Sequence, residues 1–270
     1  MQGELGLFIS VASFMIVGGG VIAATMVNYS FDNIKDSFKA ISSMMGAKSV
    51  DLRTDMELLS MFARRVRSDG LLVLDDDIKH IKNSYLENGL RLAVDGFKRE
   101  SLNSILKDEI KSAERQGEIS INVMYSMSSY APAFGMIGTV IGMILMLQNI
   151  EDPQSLGAGL SIALITTLYG TILANMFFGP LAGKLEYLNE LDINRKEMIR
   201  VGILSMVDGE NPRIMEKKML IYLDPMSRVE YTRYHEGLRI SKERDAKFYK
   251  LWVEQQNKEW QDLKRVLETG

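Results

Sequence analysis

The chain has 270 residues, which leaves room for one or two domains. Its 46% hydrophobic and 25% charged residues average to an ordinary soluble composition, but all 32 basic and 35 acidic residues lie outside three windows, 5–31, 119–150 and 153–183. That segregation argues against a purely soluble fold, the absence of cysteine excludes disulfides and thiolate sites, two histidines are too few for a His-rich metal centre, and a net charge of −3 gives no case for nucleic acid.

Each charge-free window is long enough to cross hydrocarbon, where a helix satisfies its own backbone polar groups. The first predicts a membrane helix over about Leu5–Val27. Residues 32–118 follow as a helical region, with apolar residues at helical spacing through Ile34, Phe38 and Ile41 and again through Met56, Leu59, Phe62 and Val66. The one short break read there is Ser68-Asp69-Gly70, followed by Leu71–Leu74 and the acids Asp75-Asp76-Asp77. The second membrane helix is expected from near Ser120 to near Leu147, and the third from near Leu156 to near Leu181. The third continues as a helix until Gly209-Glu210-Asn211-Pro212, where Asn211 reads as the N-cap and Pro212 as the first residue of a further helix. A densely charged tail from about Met226 places Phe248, Leu251, Trp252, Trp260, Leu263 and Leu267 roughly on one stripe, as in an amphipathic helix.

The expected protein is therefore all-α and integral to a membrane. Its parts are a membrane helix (1–31), a helical domain (32–118), a membrane hairpin (119–183), a helical extension (184–225) and a charged tail (226–270). Every Lys and Arg falls in 32–118 or 184–270, so both regions are expected in the cytoplasm, with the turn at Glu151-Asp152-Pro153 outside.

The membrane windows hold no ionisable Asp, Glu, Lys or Arg, so an ion-moving role requires a carboxylate from a partner. Gly135, Gly138 and Gly142 form a small-residue face that admits another helix closely, either in the same subunit or in a neighbour. Thr139, Thr166 and Thr167 are candidate cation-solvating hydroxyls, although a membrane Thr also bonds its own helix four residues back. Pro132 and Pro180 lie near the cytoplasmic ends of two antiparallel segments and read either as hinges or as helix punctuation. Gly157/Gly159 lie inside a membrane segment and make no dinucleotide loop, and Asp75–Asp77 lack the ligand spacing of a calcium loop. Nothing in the sequence supports an enzyme or a bound cofactor.

The run Ala131–Leu147, the Glu151-Asp152-Pro153 turn, Leu156–Gly159, Ala163–Gly170 and Asn175 resemble the flagellar stator subunits of the MotA/PomA family. Val17–Thr25, Arg64–Asp75, Pro180–Leu185 and Gly209–Arg213 fit the same resemblance, which covers about residues 5–228. The resemblance implies a pentamer in the bacterial inner membrane around a dimeric MotB/PomB-type partner, which supplies the ion-binding aspartate. It also implies that flow of sodium, or alternatively protons, drives the flagellar rotor protein FliG. Arg67 and Asp75 then match the torque-generating charges, with Arg64 and Arg65 as helpers, Pro132 and Pro180 the family's two conformational prolines, and Thr139, Thr166 and Thr167 the hydroxyl positions of sodium-type members. The family has four membrane helices where this chain shows three. The expected explanation is a further helix ahead of Met1, lost through a misplaced start codon or a truncation. The alternative is the three-helix layout of ExbB/TolQ energy transducers, whose motifs fit less well.

Overall fold

The computed structural model describes residues 8–46, 52–148 and 153–236, together with Glu254. The apolar stripe expected in the tail and the Glu151-Asp152 part of the outward turn lie outside the described residues. Every described element is helical, in chain order α1 (Val11–Asn28), α2 (Phe31–Gly46), α3 (Leu52–Asp69), α4 (Asp75–Ile78), α5 (Ser84–Val94), α6 (Arg99–Gln148), α7 (Pro153 to Val207), α8 (Pro212–Met219) and α9 (Pro225–Glu236). The all-α expectation holds, and three of these helices contain a window long and apolar enough to cross a membrane: α1, α6 and α7.

Two differences from the sequence reading concern boundaries. Helix α6 begins at Arg99, far ahead of the Ser120 start that hydropathy indicates, because hydropathy marks the apolar stretch of a helix and not its polar continuation. The 32–118 region also has more breaks than Ser68–Gly70. Asn83 caps α5 by accepting from the Tyr85 and Leu86 amides at 3.1 and 3.2 Å. The same helix ends at Gly96 (φ 79°), where the Gly96 and Phe97 amides bond back to Ala93 and Leu92. This paired closure needs a left-handed residue, which glycine supplies without strain.

The chain divides into two compact units. One comprises residues up to 48 and 114–190 and holds the membrane segments. Its core is formed by Val21, Ile121, Val123, Met124, Met127, Ala131, Ala174, Ala182 and Leu185. Helix α1 is fixed to it by close packing and by hydroxyls. A Cβ on Gly20 would fall 2.2 Å from the Phe134 ring, so that ring occupies the space a side chain would need. Tyr29 Oη lies 3.0 Å from Ser126 Oγ, and Asn28 Nδ2 donates to Tyr130 Oη at 3.4 Å. Helices α1 and α7 each contain a π-helical turn, Met15–Gly19 and Leu173–Phe178.

The other unit comprises residues 49–113 and 191–270. Its core packs Met56, Leu59 and Phe62 of α3 with Tyr85, Leu86 and Leu90 of α5, Leu102 and Leu106 of α6, and Met198, Ile199 and Ile203 of α7. Around it, Arg195 grips the buried Asp55 carboxylate through Nε and Nη2, and Arg200 Nη1 donates to Asn103 Oδ1 at 2.6 Å. Asn211 caps α8 by accepting from the Arg213 amide at 3.0 Å, with Pro212 at the first helical position. Helix α9 is anchored by the buried Tyr231 and by the Arg53–Glu230 ion pair at 2.6 Å.

Candidate functional site

In the membrane unit the inner faces of α6 and α7 are built from residues with little or no side chain. A Cβ on Gly142 would meet the Gly159 carbonyl oxygen at 2.6 Å and the Ala163 nitrogen at 2.7 Å. A Cβ on Gly135 would meet the Thr166 carbonyl oxygen at 3.1 Å, and one on Gly138 would meet the Thr166 side chain at 2.5 Å. From the α7 side, a Cβ on Gly170 would meet the Ala131 carbonyl oxygen at 2.6 Å. The three glycines singled out in the sequence thus serve contact between two helices of one subunit. Such contact is the means by which membrane helices associate where lipid gives no hydrophobic drive.

That close approach places hydroxyls in a defined order. Thr139 and Thr167 face each other across the helix pair with their oxygens 2.7 Å apart. Thr139 Oγ1 also lies 3.0 Å from the Gly135 carbonyl oxygen, and Thr167 Oγ1 lies 3.1 Å from the Ala163 carbonyl oxygen. Each hydroxyl has a single hydrogen, so only two of these three contacts are donated at once: one hydroxyl donates to the other, and the one that accepts donates to its own backbone carbonyl. Thr167 is exposed and Thr139 half-buried, so the pair sits at the open edge of the helix contact. Thr166 is not brought into this pair. It is fully buried, its hydroxyl bonds to the Ile162 and Ala163 carbonyls at 2.9 and 3.1 Å, and its side chain packs against Gly138.

The two prolines occupy different settings. Pro132 lies within α6, where it removes the amide that the Ser128 carbonyl would otherwise receive. Pro180 stands just past the π-helical turn of α7, separated from it by Gly179. Ser128 Oγ donates to the Ala174 carbonyl of that turn at 3.1 Å, so one hydroxyl links the neighbourhoods of both prolines. The sequence reading missed Tyr169. Its hydroxyl donates to the Phe8 carbonyl at 2.7 Å and accepts from the Ser10 amide at 3.1 Å, pairing backbone groups just ahead of α1. A tyrosine inside an apolar window was the available signal, because its hydroxyl needs a partner there.

In the other unit, the end of α3 and the segment to α4 form a charged loop. Gly70 turns it with φ 84° and leads into a 3-10 turn, Leu71–Leu74, whose last residue is buried and whose Leu72 is exposed. Arg67 and Asp75, on either side of this turn, are both exposed, and neither makes a side-chain hydrogen bond or ion pair among the described residues. Asp76 is exposed and bonded to Lys79 at 2.9 Å, which holds its carboxyl below the usual carboxylate range. Arg64 and Arg65, expected as helpers on the rotor-facing surface, are committed inside the unit. Arg64 pairs with Glu216 of α8 at 3.1 Å, and Arg65 pairs with Asp77. Asp77 is buried, unlike the two acids before it, so the acid run is one structural anchor and two surface charges. Sequence reasoning did not separate them because three identical residues give no clue to which one faces inward.

The membrane unit thus places a hydroxyl pair between helix stretches, 119–150 and 153–183, that are free of Asp, Glu, Lys and Arg, and the other unit presents an exposed charged loop. These features define a membrane subunit with no carboxylate in its apolar spans, so that any ion it conducts must meet that charge on a partner. Comparison with known proteins specifies the family. Residues 77–198 match the model of the MotA/TolQ/ExbB proton channel family. The motility protein A of Treponema pallidum is 34% identical over 83% of this chain and 86% of its own length, and PomA of Vibrio alginolyticus is 31% identical over 83% and 88%. The uncharacterized protein YtxD of Bacillus subtilis is 34% identical over 87% and 85%. The MotAB structure from C. jejuni superposes with a TM-score of 0.77 at 26% identity, covering 89% of this chain and 91% of that one. The chain belongs to the MotA/TolQ/ExbB proton channel family, on its MotA/PomA branch, and is a membrane protein.

Proposed function

We propose that this chain is the ring-forming subunit of a flagellar stator in the bacterial inner membrane. Five copies surround two copies of a MotB/PomB-type partner whose aspartate binds the transported ion. The similarity to motility protein A, PomA and two MotAB stator structures supports this reading over an ExbB/TolQ-type transducer. The observation that carries it is the Thr139–Thr167 pair, exposed at the edge of a helix contact that contains no charge of its own. A dehydrating cation passing the partner's carboxylate gains neutral oxygen ligands there, and neutral oxygens suit sodium, which needs partial replacement of its water shell. Ion flow is the energy source and no chemical bond is made or broken, so the subunit is not an enzyme.

Torque is assigned to Arg67 and Asp75, the exposed charges flanking the Gly70 turn, acting on complementary charges of the rotor protein FliG. Exposed ion pairs are weak singly and screened by salt, which suits contacts that must form and break at each step. The test is rescue of swimming in a strain lacking its stator. Speed is measured across sodium concentrations at fixed pH, with a proton uncoupler as control. Sodium-dependent speed that survives the uncoupler is the expected result. Speed that ignores sodium and collapses with the uncoupler overturns the ion assignment.

A further inference from the structure

The outward side of α7 changes character along its length. Leu160, Leu164, Thr167, Thr171 and Asn175 recur at intervals of three or four residues, which places them within one arc of a helix turning about 100° per residue. All five are exposed in the subunit. The first two are apolar, 51% and 64% exposed, and the last three are polar. Among the described residues the Thr171 hydroxyl bonds back along its helix, to the Thr167 carbonyl at 2.9 Å, and Asn175 does the same through Nδ2, to the Thr171 carbonyl at 3.0 Å. The side-chain oxygen of Asn175 has no bond among the described residues. An amide left open on this face is costly against lipid tails, because hydrocarbon offers it no partner. Asn175 also lies inside the Leu173–Phe178 π-helical turn, a distortion concentrated at functional positions.

Resting on the stator reading above, we propose that Thr167, Thr171 and Asn175 line a hydrated lane by which the ion leaves the Thr139–Thr167 pair toward the cytoplasm. Leu160 and Leu164 keep the same face dry on the outer side. The ion then meets neutral oxygens about every 6 Å, the advance of one helical turn, until it is within roughly 14 Å of Lys184, the first charge after this window. The stepwise spacing provides weak successive sites, which conduction requires, in place of one tight site.

The native chain has no cysteine, so single cysteines report water access directly. Thr171→Cys, Asn175→Cys, Leu160→Cys, Leu164→Cys and Phe177→Cys are introduced in the native host. Everted membrane vesicles are then treated with a membrane-impermeant thiol reagent. The expected result is labelling at 171 and 175 at least tenfold faster than at 160, 164 and 177. Equal rates at all five positions, or faster labelling at 164 than at 171, overturn the proposal. If a cysteine variant does not accumulate, Thr171→Ser and Thr171→Val decide: the serine variant keeps swimming speed and the valine variant lowers it severalfold, and equal speeds overturn the proposal. A graded labelling pattern in a chain whose deletion leaves swimming intact would remove the stator reading and leave the hydrated lane standing.

Discussion

The clearest separation of structural from functional charge lies in the three consecutive acids at the start of α4. Asp77 is 4% exposed at its side chain and pairs with Arg65, while Asp75 is exposed and makes no side-chain bond among the described residues. Asp77→Asn removes a charge-assisted contact, for which about 1.5–3 kcal/mol is the ordinary range. Arg65 is 37% exposed and recovers hydration when released, so about 1–2 kcal/mol is the expected loss. That loss raises local opening roughly 5- to 30-fold. The pair ties the Leu71–Ile78 segment back to α3, so the opening is confined to this loop. Hydrogen exchange of the full chain in its complex reads it: amides of Leu71–His80 lose protection by that factor, while amides in the middle of α5 keep theirs. Arg65→Gln is expected to do at least as much, since it leaves a desolvated carboxylate without its guanidinium. Asp75→Asn leaves exchange unchanged and lowers torque. Equal exchange in Asp75→Asn and Asp77→Asn would refute the assignment of one acid to folding and the other to the rotor.

Gly142→Ala puts a methyl group 2.6–2.9 Å from backbone and Cβ atoms of α7. The strain of about 1–3 kcal/mol outweighs a helix-propensity gain of about 1 kcal/mol. Thermal stability in detergent falls as a result, whereas Gly157→Ala, which meets nothing within 4 Å, is neutral or stabilising in the same assay. Arg67→Glu abolishes or reverses the rotor contact and leaves the melting temperature unchanged, and a charge-reversed rotor residue restores swimming. Arg64→Glu faces Glu216 across a half-buried contact and lowers the melting temperature whatever the rotor carries. Burial pushes the Tyr85 hydroxyl well above its ordinary value near 10. The folded form therefore keeps its proton where the unfolded chain loses it. The stability due to this group is complete below pH 10 and declines above it, and Tyr85→Phe flattens that alkaline decline in a pH series of melting curves.

Much of this architecture was legible in the sequence, because the membrane imposes a simple rule. A segment that must bury all its backbone polar groups and can hold no cheap charge shows itself as a long window without Asp, Glu, Lys or Arg. The Asn211 cap and the Gly70 turn were equally visible, since each rests on one residue's own chemistry. What could not be read was which way a residue faces once helices pair. Thr166 and Thr167 are adjacent and identical, yet a 100° step on the helix buries one against Gly138 and opens the other toward Thr139. Arg64, Arg65 and Arg67 differ in the same manner: the first two find Glu216 and Asp77, acids 152 and 12 positions away in sequence, and the third finds none among the described residues. Charge and hydroxyl content are local properties, whereas facing is decided by the partner helix.

The same argument explains why a chain without a membrane carboxylate suits an ion-driven motor. A carboxylate in the apolar stretch of α6 or α7 would be repeated in every copy of the proposed ring, and each copy would have to be neutralised or hydrated at a cost of several kcal/mol. Neutral oxygens can be repeated without that cost, because Thr139, Thr167 and Thr171 find hydrogen-bond partners within the helix pair when no ion is near. In the proposed stator, a ring lined this way would present the same uncharged surface in every subunit and leave the ion-binding carboxylate to the partner. Introducing Asp at position 171 then tests the principle: the variant stator should hold its ion too tightly to release it. Swimming should slow most at high ion concentration, where occupancy is complete, and recover toward low pH as the new carboxylate is protonated. A Thr171→Asp stator that runs at native speed across that range would show that charge in the lane does not govern release.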